Sequence, residues 1–84
     1  MTYSLRIKAS AAKEIAALSR NDRERVIAAI DGLRADPQQG TQLKGSATGL
    51  RRIRVGNYRI IFEVQKSELV ILVLRVGHRK DVYR

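Results

Sequence analysis

The chain is predicted to adopt an α+β fold: a four-stranded, mostly antiparallel sheet with a two-helix hairpin packed on one face. The order is β-α-α-β-β-β, in one domain spanning residues 1–84. Residues 50–64, LRRIRVGNYRIIFEV, alternate polar and apolar on both sides of Gly56-Asn57, the signature of a tight β-hairpin. Residues 69–76, LVILVLRV, are apolar on both faces, as in a central strand. Two short segments with apolar residues at helical spacing precede them, and 84 residues leave no room for a second core.

Residues 3–9 (YSLRIKA) alternate Tyr3, Leu5, Ile7 and Ala9 against Ser4, Arg6 and Lys8, a first strand with one buried face. Ser10 reads as the N-cap of a helix over residues 11–18, with Ala11, Ile15 and Leu18 on one side. Its many alanines suit close approach to neighbours. Asn21, with Glu24 three residues on, fits a capping box for a second helix whose stripe is Val26, Ile27, Ile30 and Leu33. Asp36-Pro37 is expected to end it, because the residue before proline is pushed out of the helical region. A DNA-reading helix-turn-helix is disfavoured, since this helix mixes Arg23, Arg25 and Arg34 with Asp22, Glu24 and Asp31. Residues 38–49 read as a polar, glycine-punctuated loop carrying Lys44, residues 65–68 as a turn, and residues 77–84 (GHRKDVYR) as a basic tail.

Composition narrows the function. The chain is 44% hydrophobic and 30% charged, an ordinary folded domain. It has no cysteine and a single histidine, His78, which excludes disulfide scaffolds, thiolate metal sites and multi-histidine zinc sites and suits the cytosol. Residues 1–3 lead into an alternating stretch with no apolar h-region, so no signal peptide is expected, and the longest apolar run, residues 69–74, is too short to span a bilayer. Net charge is +9 and unevenly spread. Residues 1–42 hold seven Lys/Arg against five Asp/Glu, and residues 43–84 ten against three. The strand-bearing half should therefore attract a polyanion, with nucleic acid ahead of an acidic protein or a membrane.

Within the hairpin, Arg51, Arg52, Arg54 and Arg59 fall in nine positions. Alternation puts Arg52 and Arg54 on one face of the first strand, and Arg59, Ile61 and Glu63 together on the second. Guanidinium groups bind phosphate in bidentate fashion, so such a face is an anion surface. The alternative is a set of edge charges that prevent aggregation. The chain shows no glycine-rich phosphate loop, no paired carboxylates and no GxSxG elbow. Arginines with a tyrosine and a histidine suit RNA cleavage by the 2′-hydroxyl, where the protein orients the substrate, neutralises developing charge and moves protons. Tyr83 and His78 are the proton-transfer candidates; equally, Tyr83 could cap the sheet edge and His78 could be a surface turn residue.

The arginine hairpin with Tyr58-Arg59, together with Val76-Gly77-His78-Arg79 and Tyr83 in the tail, resembles the RelE branch of the RelE/ParE toxin superfamily along essentially the whole chain. That resemblance implies a RelE-like fold and a type II toxin–antitoxin toxin: a cytoplasmic, metal-independent, ribosome-dependent mRNA endonuclease. It would cleave in the A site by 2′-hydroxyl attack, inhibit translation, and be restrained by a cognate antitoxin. Its partners would be that antitoxin, the ribosome and mRNA, with no cofactor and no membrane. By position, Arg59 and Arg79 resemble the family's phosphate-stabilising arginines, and Tyr83 its substrate-stacking or activating tyrosine. Lys44, Arg51, Arg52, Arg54 and His78 would bind RNA. Arg52 and Arg54 stand where well-known members have lysines, and an arginine cannot give up its proton as a lysine can. A ParE-like, non-enzymatic DNA gyrase inhibitor and a non-catalytic basic RNA-binding module are the rival readings.

Overall fold

The computed structural model describes residues 2–44 and 49–78. Its elements are β1 (Ser4–Ile7), α1 (Ala9–Ala16), α2 (Arg20–Gly32), β2 (Thr41–Gln42), β3 (Leu50–Val55), β4 (Tyr58–Gln65) and β5 (Val70–His78). The strands form one sheet in the spatial order β1-β5-β4-β3-β2. β1 runs parallel to β5, and every other pair is antiparallel. β5 is interior, as its two-sided apolar pattern predicts.

The sheet thus has five strands, not the expected four. Thr41 and Gln42 pair with Arg52 and Arg51 as a two-residue edge strand, too short and too polar to show alternation. The loop reaches β3 there because Gly40 has φ +78 and presses against the backbone carbonyl of Arg52; a Cβ would collide with it.

Helix boundaries differ from expectation because tertiary bonds set them. α1 starts at Ala9 with Lys8 as N-cap, and Ser10 lies inside the helix. The Lys8 amide donates to the Val73 carbonyl (2.9 Å), so the chain leaves the sheet at Lys8 and turns helical at once. In α2 the N-cap is Ser19, whose Oγ accepts from the Asp22 amide at 3.3 Å; the capping box of Asn21 and Glu24 does not form. Glu24 instead meets Arg20 one turn earlier. α2 ends at Gly32, well before Pro37, because Arg34 turns back to β1: its carbonyl accepts from the Tyr3 amide (3.0 Å) and its Nε donates to the Tyr3 carbonyl (3.3 Å).

The core lies between the helices and one sheet face. Ala11, Ile15, Val26, Ile30 and Leu33 meet Ile53, Ile60, Phe62, Ile71, Val73 and Val76. Ala11 is fully buried, which lets α1 lie close over β5. A register shift sets Ile61 opposite Arg75 but Phe62 opposite Val73, so Leu74 is the extra residue of a β-bulge. No described helix is long and apolar enough to cross a membrane.

Candidate nucleic-acid interface

The Gly56-Asn57 turn (Gly56 at φ +59) pairs Val55 with Tyr58 and thereby fixes the register of the whole hairpin. Its consequence is direct. Arg54 stands opposite Arg59, and Arg52 stands opposite Ile61. On β5, Gly77 is the neighbour of Arg59 and Arg75 that of Ile61. The face away from the helices therefore carries Arg52, Arg54 and Arg59 together, with Gly77 beside Arg59. Arg54 is exposed; Arg52 and Arg59 are half-buried. Ile61, only 8% exposed, lies in register between Arg52 and Arg75, where long arginine stems are suited to shield an aliphatic side chain.

The remaining expected site residues are placed apart from this set. Arg51 pairs with fully buried Phe62 and so belongs to the helix side. Its guanidinium donates to the carbonyls of Gln38 (2.7 Å), Gln39 (3.2 Å) and Gly40 (3.1 Å), holding the loop that leads into β2. Lys44 is exposed, just beyond the end of β2 that pairs with Arg51, remote from the hairpin turn. His78 pairs with Tyr58 in the row facing the helices, its ring edge-on to the Tyr58 ring at 6.0 Å and 77°. Arg79 and Tyr83 lie outside the described residues.

Two carboxylates from the helices reach the same end of the sheet. Asp22, in the first turn of α2, accepts a hydrogen bond from the Tyr58 hydroxyl at 3.1 Å. That bond pushes the Tyr58 phenol above its ordinary pKa, since ionising it would set two anions side by side; desolvation adds to the rise. Glu14 of α1 accepts from the Val76 amide through Oε1 (3.0 Å) and faces the Arg75 guanidinium through Oε2 (3.5 Å). Asp22, Glu14 and Tyr58 were not legible as site residues, because in sequence they are ordinary helix-surface acids and a strand aromatic. Arg75, the single charge in an apolar strand, was the one available signal.

β2 covers β3 only as far as Arg52, and beyond it a groove of about 570 Å³ follows the strand, lined by Ala29, Gln39, Thr41, Arg52, Arg54 and Val55. An arginine face beside an open strand edge can hold a phosphate chain in bidentate fashion. It can stabilise negative charge, but it cannot accept a proton.

Residues 5–83 match the family model described as ParE toxin of type II toxin–antitoxin system, parDE. Toxin RelG of Mycobacterium tuberculosis is 28% identical over a 90-residue alignment covering 100% of this chain and 99% of that protein. Among solved structures, the toxin–antitoxin complex RelBE2 of M. tuberculosis superposes with TM-score 0.84 at 25% identity, covering 96% of this chain and 95% of that one. The archaeal RelE–RelB complex of Pyrococcus horikoshii gives TM-score 0.79 at 27% identity, covering 98% and 100%.

Proposed function

The chain belongs to the ParE toxin family of type II toxin–antitoxin systems, and on that footing we propose that it is a ribosome-dependent mRNA endonuclease whose arginine face binds the message. The observation that carries this reading is the register pair Arg54–Arg59 with Arg52 on the same face. Like charges directly opposite each other weaken a sheet. A face built that way attracts a polyanion laid across it.

In such a cleavage the RNA supplies the nucleophile. Its 2′-oxygen attacks the adjacent phosphorus and the P–O5′ bond breaks, the departing 5′-oxygen taking a proton from solvent, which leaves a 2′,3′-cyclic phosphate and a 5′-hydroxyl. Arg59, with Arg79, stabilises the extra charge on the phosphoryl oxygens, while Arg52 and Arg54 hold the flanking phosphates. Tyr83 orients the base or the 2′-hydroxyl. None of these arginines takes the 2′-hydroxyl proton, so either another group accepts it or it passes to solvent and cleavage is slow. His78, in the row that faces the helices, packs beside Tyr58. The RelBE2 and archaeal relatives were solved as toxin–antitoxin complexes, and this toxin too has a cognate antitoxin, with an acidic segment that covers the basic face in the cytoplasm.

Inducible expression with mapping of mRNA 5′ ends within minutes tests the reading. New ends in phase with the reading frame are expected. Because the matched family is that of ParE toxins, a second reading is a non-enzymatic gyrase inhibitor; growth arrest with intact messages and broken DNA would replace the first by the second.

A further inference from the structure

The hairpin end that carries the opposed arginines is also where the hydrophobic core gives out. The row Ile53–Ile60–Val76 is buried, but the next row, Val55–Tyr58–His78, is only half-buried. Arg54 and Arg59 lie between these two rows on the opposite face, and their repulsion acts on the last pairs before the turn. α2 adds a restraint on that end beyond the strand pairing. The Tyr58 hydroxyl donates to Asp22 Oδ2 at 3.1 Å, a link between residues 36 apart in sequence. The Arg25 guanidinium lies over the turn, 3.3 Å from where a Cβ on Gly56 would stand. Asp22 is itself held: its amide donates to the Ser19 cap, and its place in the first helical turn favours a negative side chain.

We propose that Asp22 is a positioning residue for the anion site: by accepting from the Tyr58 hydroxyl it ties the hairpin tip to α2 and holds Arg54 and Arg59 face to face. The carboxylate touches no reacting atom. It acts through Tyr58, whose backbone continues directly into Arg59. The ring of Tyr58, edge-on to His78, extends the same tie to the end of β5. This inference rests on reading Arg54 and Arg59 as the phosphate-binding pair.

The test compares Asp22→Ala, Asp22→Asn, Tyr58→Phe and the Asp22→Ala/Tyr58→Phe double variant. Single-turnover cleavage on programmed ribosomes at saturating toxin is measured beside ribosome affinity and melting temperature. Loss of the bond should slow cleavage roughly tenfold, the scale of one hydrogen bond to a charged group. Affinity should change less than about twofold, because the arginine charges remain. Asp22→Asn, whose amide oxygen still accepts, should cleave closer to the parent rate than Asp22→Ala. The double variant should be no slower than either single one. A second measurement needs no activity: the Nε–Hε NMR resonances of Arg54 and Arg59 should move in Tyr58→Phe and Asp22→Ala and return toward the parent in Asp22→Asn. A parent protein that does not cleave overturns the nuclease reading alone. Arginine resonances unmoved by Tyr58→Phe, or a cleavage loss that only follows melting temperature, overturn the role of Asp22.

Discussion

Replacing Arg54 by glutamine should make the protein more stable while making it a poorer toxin. Arg54 and Arg59 are a directly opposed cross-strand pair, a geometry that sets Cβ atoms about 4.5–5.5 Å apart and makes like charges unfavourable by about 0.2–1 kcal/mol. Glutamine keeps the length and the polar end of the side chain and removes the charge. Arg54 is exposed, so the change opens no cavity. A gain of about 0.5 kcal/mol corresponds to a rise in melting temperature of roughly 2–4 °C for a domain of this size. Since Arg54 is exposed, the gain should shrink between 0.1 M and 1 M salt, where the Debye length falls from about 10 Å to about 3 Å. Arg54→Lys keeps the charge and should leave stability unchanged. The assay is thermal unfolding by circular dichroism at both salt concentrations, repeated with a short single-stranded RNA. The RNA should stabilise the parent more than the glutamine variant. Arg54→Gln proving less stable than the parent at low salt, or a gain indifferent to salt, would refute the claim that the register pair stores repulsion.

Arg51, three residues earlier on the same strand, should behave in the opposite way. Arg51→Gln releases the carbonyls of Gln38, Gln39 and Gly40 and should cost about 1.5–3 kcal/mol in urea unfolding, with one or two of these charged bonds dominating; cleavage per folded molecule should be largely retained. Glu14→Ala strips the Val76 amide of its acceptor and should cost about 1–3 kcal/mol, with faster hydrogen exchange at that amide as the local readout. Tyr58 should ionise at higher pH than a free tyrosine, read by absorbance near 295 nm in the parent against Tyr58→Phe. Its folded pKa is raised, so the stability from the Asp22 bond is fully present below the unfolded value of about 10 and is lost as pH rises through the folded value. No change tied to Tyr58 is expected near neutrality.

How much of this was legible in the sequence depends on the range of the interaction. The hairpin was legible because a two-residue turn sets register locally, and register sets faces. From Gly56-Asn57 alone it follows that Arg52, Arg54 and Arg59 share a side. The interior position of β5 was legible because residues 69–76 are apolar almost throughout, as suits a strand with neighbours on both edges. The same alternation puts Arg51 on the side of Ile53, apart from the RNA-binding arginines with which the sequence reading grouped it. What it would find there was not legible, since its partners come from a loop held close by Gly40. The starts of the helices failed for a related reason. Ser10 and Asn21 are good caps by composition, yet the Lys8–Val73 bond begins α1 earlier and Ser19 takes the cap of α2.

Asp22 and Glu14 show where such reading stops. In sequence each is one acid on an amphipathic helix, the kind normally left to solvent. In the fold they reach the end of the sheet where the core stops: Asp22 takes Tyr58, past the last buried row, and Glu14 takes the amide of Val76, within that row. A core of this size does not extend over the whole sheet, and where Ile60 and Val76 end it, burial can no longer hold the strands in place. Two carboxylates, accepting from a tyrosine hydroxyl and a backbone amide, add to the hold at that boundary. They do so at the end where Arg54 and Arg59 repel each other. The helix layer therefore does more than cover the sheet. Its core side supplies stability, and its acidic edge holds the strand ends that carry the cationic face.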